Sequence, residues 1–100
     1  MKLHDLQFDD HAIAQFCQRH GIATLLLFGS IIRSDFGPRS DIDVIVDFSG
    51  EDRHSLLHLA DMQLELTQMF GRQVHLHTND MIHPYLRRRI RSAARVAYAA

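Results

Sequence analysis

The chain predicts an α/β fold: a small mixed sheet of three to four strands with helices mainly on one face. Three observations predict it. Apolar residues recur at helical spacing in some segments and in short continuous runs in others, in the order αβαβαβα. Two apolar runs, Leu25–Phe28 and Val44–Val46, frame a segment that reads Gly-Ser, ten residues, Asp-Ile-Asp. The G-x-G-x-x-G fingerprint of a dinucleotide-binding doubly wound sheet, the competing α/β architecture, is absent.

Each element follows from local chemistry. Asp9 or Asp10 caps a helix running to about Arg19, with Ala12, Ile13, Phe16 and Cys17 on its apolar face. Gly21 ends it. Ile22–Phe28 is a strand, continuously apolar from Leu25 and so buried on both faces. Ser30 to about Ser34 forms a short helix. Asp35–Ser40, containing Gly37-Pro38, is a turn. Ile42–Phe48 is the second strand, and Ser49–Asp52 is a loop. A long helix runs from about Arg53 to Phe70, where Gly71 stops it. Gln73–His77 is the third strand. Pro84, in a first turn, opens the last helix, which runs to about Ala93. Val96–Ala99 reads as a terminal strand or a frayed tail.

The Gly-Ser to Asp-Ile-Asp segment carries the chemistry. Gly29 permits positive φ or close backbone approach just after the strand. Ser30 offers a hydroxyl and a backbone N–H to an anion, and Arg33, one turn on, neutralises phosphate charge. Asp41 and Asp43, at i and i+2 on a strand, project to one side while Ile42 and Val44 project to the other. Like charges side by side repel, so such a pair calls for a bound cation. Mg²⁺ takes oxygen ligands of this kind. Each feature alone is common: a Gly-Ser turn, alternating surface acids, a solvated arginine. Their combination in one segment points to Mg-nucleotide chemistry.

Composition narrows the class. One hundred residues predict one domain spanning 1–100 with a modest core. The net charge of −1 gives no strong signal for nucleic acid or membrane. The one cysteine, Cys17, excludes an intramolecular disulfide and fits a reducing cytoplasm as a small buried residue. The opening MKLHDLQFDD has no apolar core of the signal-peptide kind, and no run reaches transmembrane length. Arg87, Arg88, Arg89, Arg91 and Arg95 crowd the last helix and its end, which by default makes an amphipathic helix with Leu86 and Ile90 inward. The alternative is a contact with nucleic acid or an acidic protein. Of the eight histidines, His54 and His58 stand at i and i+4 and read as solvated helix residues, while His75 and His77 share a strand face.

The stretch Leu27-Phe28-Gly29-Ser30, Arg33, Ser40 to Phe48, Gly71-Arg72, Val74 to His77 and Pro84 to Ile90 resembles the DNA polymerase beta-like nucleotidyltransferase superfamily. Within it, the short chain is similar to the minimal nucleotidyltransferase (MNT) group, over about residues 8 to 98. The resemblance implies a nucleotidyltransferase fold, Mg²⁺ (or Mn²⁺) on Asp41 and Asp43, and ATP held through Gly29, Ser30 and Arg33. It also implies the role of an antitoxin that neutralises a HEPN-domain ribonuclease toxin, by transferring AMP to a toxin tyrosine or by binding. One departure stands out. Where the family carries a third carboxylate, in a stretch like G-R-x-V-D, this chain has His75. Three readings follow: a degenerate site that acts by binding only, a substituted catalytic base, or a changed metal preference, since imidazole suits Mn, Zn, Ni or Cu better than Mg²⁺. Asp80 is a candidate to replace the missing acid in space. Asp47, four residues beyond Asp43, lies too far along the strand to join it.

Overall fold

A computed structural model describes residues 1–50 and 54–100. Its elements, in chain order, are β1 (Lys2–Leu3), β2 (Leu6–Gln7), α1 (Asp10–His20), β3 (Ile22–Phe28), a 3-10 turn (Gly29–Ile32), β4 (Ile42–Phe48), α2 (Leu56–Phe70), β5 (Val74–His77), a second 3-10 turn (Asn79–Met81), α3 (Pro84–Ala93) and β6 (Arg95–Ala99).

Caps set the helix boundaries. The Asp9 carboxylate accepts from the N–H groups of His11 and Ala12, which α1 cannot pair internally. Gly21, at φ 66°, closes α1 in the left-handed region. The Ser55 hydroxyl accepts from the His58 N–H and starts α2. The predicted start at Arg53, and Glu51 and Asp52 of the predicted loop, lie outside the described residues. Pro84 opens α3 where the sequence placed it.

The main sheet has the order β5-β4-β3-β6. β3 pairs antiparallel with β4 and with β6, and β4 pairs parallel with β5. The sheet is therefore mixed. Its last strand resolves the open reading of residues 96–99: β6 satisfies the backbone groups along the outer edge of β3. One element was not anticipated. β1 and β2 form a two-stranded hairpin, too short to register as strand periodicity, whose Leu3 and Leu6 pack on the core.

The core lies mainly on one sheet face. Leu25 and Leu27 of β3, Val44 and Val46 of β4 and Val74 of β5 pack there against Phe16 of α1 and Met62 and Leu66 of α2. The opposite face is not left fully open. Leu26 and Ile45 form a second, smaller cluster with Ile82 and with Ile90 and Ala94, so α3 covers the middle of that face. The double burial expected of β3 follows from these two layers. Among the described residues, no helix is long and apolar enough to cross a membrane.

Candidate functional site

The end of β3 and the start of β4 meet by register. Phe28 pairs with Asp43, so the residue after Phe28 falls beside the second acid. That residue is Gly29, at φ +77°. A Cβ at this position would sit 2.6 Å from Asp43 Oδ2. Both reasons for glycine, the backbone conformation and the close approach, therefore operate together.

The helix expected over residues 30–34 is replaced by one 3-10 turn, Gly29–Ile32. The Arg33 N–H donates to the Ser30 carbonyl at 2.9 Å, and Arg33 itself is already extended. Ile31 is buried in the core, and no further helical turn follows. The turn thus brings little helix dipole to an anion. Charge at this place comes from side chains. Arg33 lines the cleft as expected and also pairs with Asp35 at 3.0 Å.

Asp41 and Asp43 differ in surroundings. Asp41 is exposed, and its Oδ2 lies 2.8 Å from His75 Nε2. Asp43 is half-buried opposite His75 in the β4–β5 register. Burial pushes its carboxyl above the ordinary range; nearby His77, His75 and Arg33 pull it down, and Asp41 pushes it up. His77 Nδ1 is 3.2 Å from the Val44 carbonyl, and its ring meets the Phe28 ring edge-on at 5.2 Å. The Nδ1–H therefore donates to the carbonyl, and the ring packs on Phe28 beside the acids. Among the described residues, no three His, Cys, Asp or Glu side chains converge as a metal site. Asp80, the suggested replacement acid, is 98% exposed on the second 3-10 turn, with its carboxylate 4.0 Å from Arg87.

The two acids still fit a divalent cation. Mg²⁺ is commonly held by one or two carboxylates together with substrate phosphates. A cation beside Asp43 would offset the desolvation of its charge, and the missing Gly29 side chain leaves backbone close at hand. The third carboxylate is what the site lacks.

A cleft of about 470 Å³ opens beside Gly29, between the 3-10 turn and α3. Arg33 and Arg89 line it, with Leu86 and Ile90 as apolar wall. Arg89 stood in the sequence only as one of a crowded set of arginines. Arg72 was missed as a site-builder. Its Nη2 donates to the carbonyls of Gly37 (2.6 Å) and Ser40 (2.5 Å), and its guanidinium stacks over Phe36 at 4.4 Å. It holds the loop that delivers Asp41. Its only sequence signal is the Gly-Arg pair after α2. Asp47 lies apart from the site, as expected. It takes both ends of the Arg91 guanidinium and the Thr24 hydroxyl, fastening α3 to the sheet. His54 and His58 are not solvated helix residues. His54 precedes the helix and stacks on Phe48, and His58 bridges His54 (2.8 Å) and His20 (3.2 Å), which in turn meets Glu65. The chain of rings ties α2 to α1.

Comparison with known proteins gives the family. A model of the Nucleotidyltransferase domain matches residues 10–97, and the chain belongs to this family. It is 40% identical over 76 residues to a protein of Methanocaldococcus jannaschii named "Putative protein adenylyltransferase MJ0435", covering 76% of this chain and 80% of that one. A solved structure described as a putative minimal nucleotidyltransferase shares 30% identity and a TM-score of 0.72, covering 86% of each chain. These two likenesses put the chain in the minimal form of the family. A crystal structure of a toxin–antitoxin with AMP-PNP shares the fold at a TM-score of 0.75 and 16% identity, covering 93% of this chain and 75% of that one.

Proposed function

We propose that this chain is an MNT-type antitoxin that transfers AMP from ATP to a tyrosine hydroxyl of a HEPN-domain toxin. The observation that carries the reading is the seat of Asp43 against Gly29, which itself lines a cleft walled by Arg33 and Arg89. A phosphate-binding turn and a desolvated carboxylate share one point, as phosphoryl chemistry requires. The toxin–antitoxin structure of the same fold and the adenylyltransferase relative support the partner and the reaction class.

In this reading Gly29 backbone and the Ser30 hydroxyl receive the leaving phosphates, and Arg33 and Arg89 neutralise them from both walls. Asp41 and Asp43 would hold Mg²⁺ or Mn²⁺, which would supply positive charge against the negative charge of the reacting phosphate. The bond from the tyrosine oxygen to the α-phosphorus forms, the bond to the pyrophosphate oxygen breaks, and the phenol proton passes to His75, the candidate base beside Asp41. Leu86 and Ile90 exclude water from one side of the cleft. Cys17 is buried with its thiol pushed up to about 12, so it stays protonated and takes no part in the chemistry.

The His75–Asp41 contact of 2.8 Å favours a second reading, neutralisation by binding alone. An imidazole occupies one oxygen of a metal-binding acid and does not replace the lost negative charge. One experiment separates the two readings. The chain and its HEPN partner are incubated with Mg-ATP, and the partner's intact mass is measured. A gain of one or more AMP groups, abolished in Asp41→Asn/Asp43→Asn, supports transfer. An unmodified partner that is still silenced supports binding alone. An unmodified and active partner refutes the antitoxin role.

A further inference from the structure

The four arginines of α3 divide into two sets. Arg87 and Arg91 belong to the fold. Arg87 Nε donates to the carbonyls of Asn79 and Ile82 at 2.9 Å, and Arg91 clasps Asp47 at 2.6 Å. Arg88 and Arg89 are exposed, and among the described residues neither has an ion-pair partner. Beside them Tyr85 is 90% exposed and Leu86 48% exposed. Tyr85, Arg88 and Ser92 fall at i, i+3 and i+7, so they stack along one stripe of α3. Leu86 and Arg89, i and i+3, form the adjoining stripe and turn into the cleft wall. An exposed aromatic, an aliphatic and two unpaired guanidinium groups make the composition of a binding hot spot.

We propose that this face of α3, centred on Tyr85 and Arg88 and bordered by Arg89 at the cleft wall, docks an acidic segment of the protein acceptor. That the docked protein is the acceptor rests on the transfer reading above; the docking itself does not. Charge complementarity selects the acidic partner. The whole chain carries −1, which disfavours a polyanionic backbone needing a broad positive field. Residues 85 to 92 span roughly 10 Å of helix at about 1.5 Å per residue. That length holds about three extended residues at about 3.3 Å each. Because Leu86 and Arg89 border the cleft, a segment on this face ends at its mouth. The acceptor tyrosine therefore carries Asp or Glu within about three positions.

The test uses the full chain and three fluorescent probes without nucleotide: a random glutamate–tyrosine copolymer, a lysine–tyrosine copolymer and a single-stranded oligonucleotide. Anisotropy at low salt should show binding of the glutamate–tyrosine copolymer at least about tenfold tighter than either other probe, weakening as salt rises. Arg88→Glu and Tyr85→Ala should each weaken it by about tenfold or more. Arg88→Lys should keep most of the affinity. The thermal midpoint of Arg88→Glu should match the parent, since Arg88 touches neither core nor cleft. Equal binding by Arg88→Glu, equal binding of the lysine copolymer, or tighter binding of the oligonucleotide would each overturn the proposal. Asp41→Asn/Asp43→Asn should retain copolymer binding, so loss of transfer and loss of docking are read separately.

Discussion

Replacing Gly29 with alanine separates the fold from the site. Two costs arise. A residue with a Cβ pays roughly 1–2 kcal/mol to sit in the left-handed region, and Gly29 is at φ +77°. The new Cβ also meets Asp43 Oδ2 at 2.6 Å, whereas ordinary contact begins at 3.4 Å. The contact is with the tip of a side chain, because Asp43 Cγ and Cβ lie at 3.5 and 3.6 Å. The carboxylate can therefore retreat by about 0.8 Å, from 2.6 to 3.4 Å, at little cost to the fold. Gly71 is the internal control. It lies at φ +70°, and an added Cβ there meets nothing within 4 Å. Gly29→Ala and Gly71→Ala should thus lose similar stability, roughly 1–2 kcal/mol each, and roughly 4–8 °C of melting midpoint per kcal/mol. Only Gly29→Ala should lose divalent-dependent ATP binding and AMP transfer. A misplacement approaching 1 Å at reacting groups costs on the order of 100-fold in rate. Calorimetry of Mg-ATP binding, thermal melts and AMP incorporation read the three quantities. If Gly29→Ala binds Mg-ATP like the parent, the turn is structural only. If it is destabilised by several kcal/mol more than Gly71→Ala, Asp43 does not yield and the close approach serves packing instead.

Three further outcomes are expected. Arg72→Ala removes two charge-assisted bonds to the Gly37 and Ser40 carbonyls, worth about 1.5–3 kcal/mol each at most, and should lower both the melting midpoint and divalent-dependent nucleotide affinity; unchanged affinity would show that the 35–40 loop holds Asp41 without it. Because burial raises the Asp43 pKa above its ordinary value of 3.8, the native state keeps that proton to higher pH than the unfolded chain, and stability is lost as pH rises through this window. Asp43→Asn should therefore melt higher than the parent at pH 7 and show no such loss, and a lower midpoint would contradict the desolvation argument. Asp47 runs the other way: burial pushes its carboxyl up, but the Arg91 and Thr24 hydrogen bonds outweigh that and leave it below its ordinary value of 3.8, so its stabilisation is present above that pH and lost as pH falls through the lowered value. Arg91→Met should flatten that acid limb in a melting series, and an unchanged limb would remove the pair from the account.

Local chemistry determined much of this protein from the sequence alone. Strand and helix runs, caps at Asp9, Gly21, Gly71 and Pro84, and the faces of Asp41 and Asp43 all depend on neighbours within a few residues. The combination of Gly29, Ser30, Asp41 and Asp43 was legible for the same reason, since it lies in one strand–turn–strand segment. The tertiary structure decided what depends on distant partners. Whether 95–99 forms a strand turns on the free edge of β3. The role of Arg72 turns on carbonyls 32 and 35 residues away, and the fastening of α3 on Asp47, 44 residues from Arg91. The His20–His58 contact spans 38 residues. No periodicity encodes such pairings, because they follow from how the layers pack. The difference between Asp41, exposed and bonded to His75, and Asp43, desolvated against Gly29, has the same origin: identical side chains two residues apart acquire different chemistry from what the fold lays beside each.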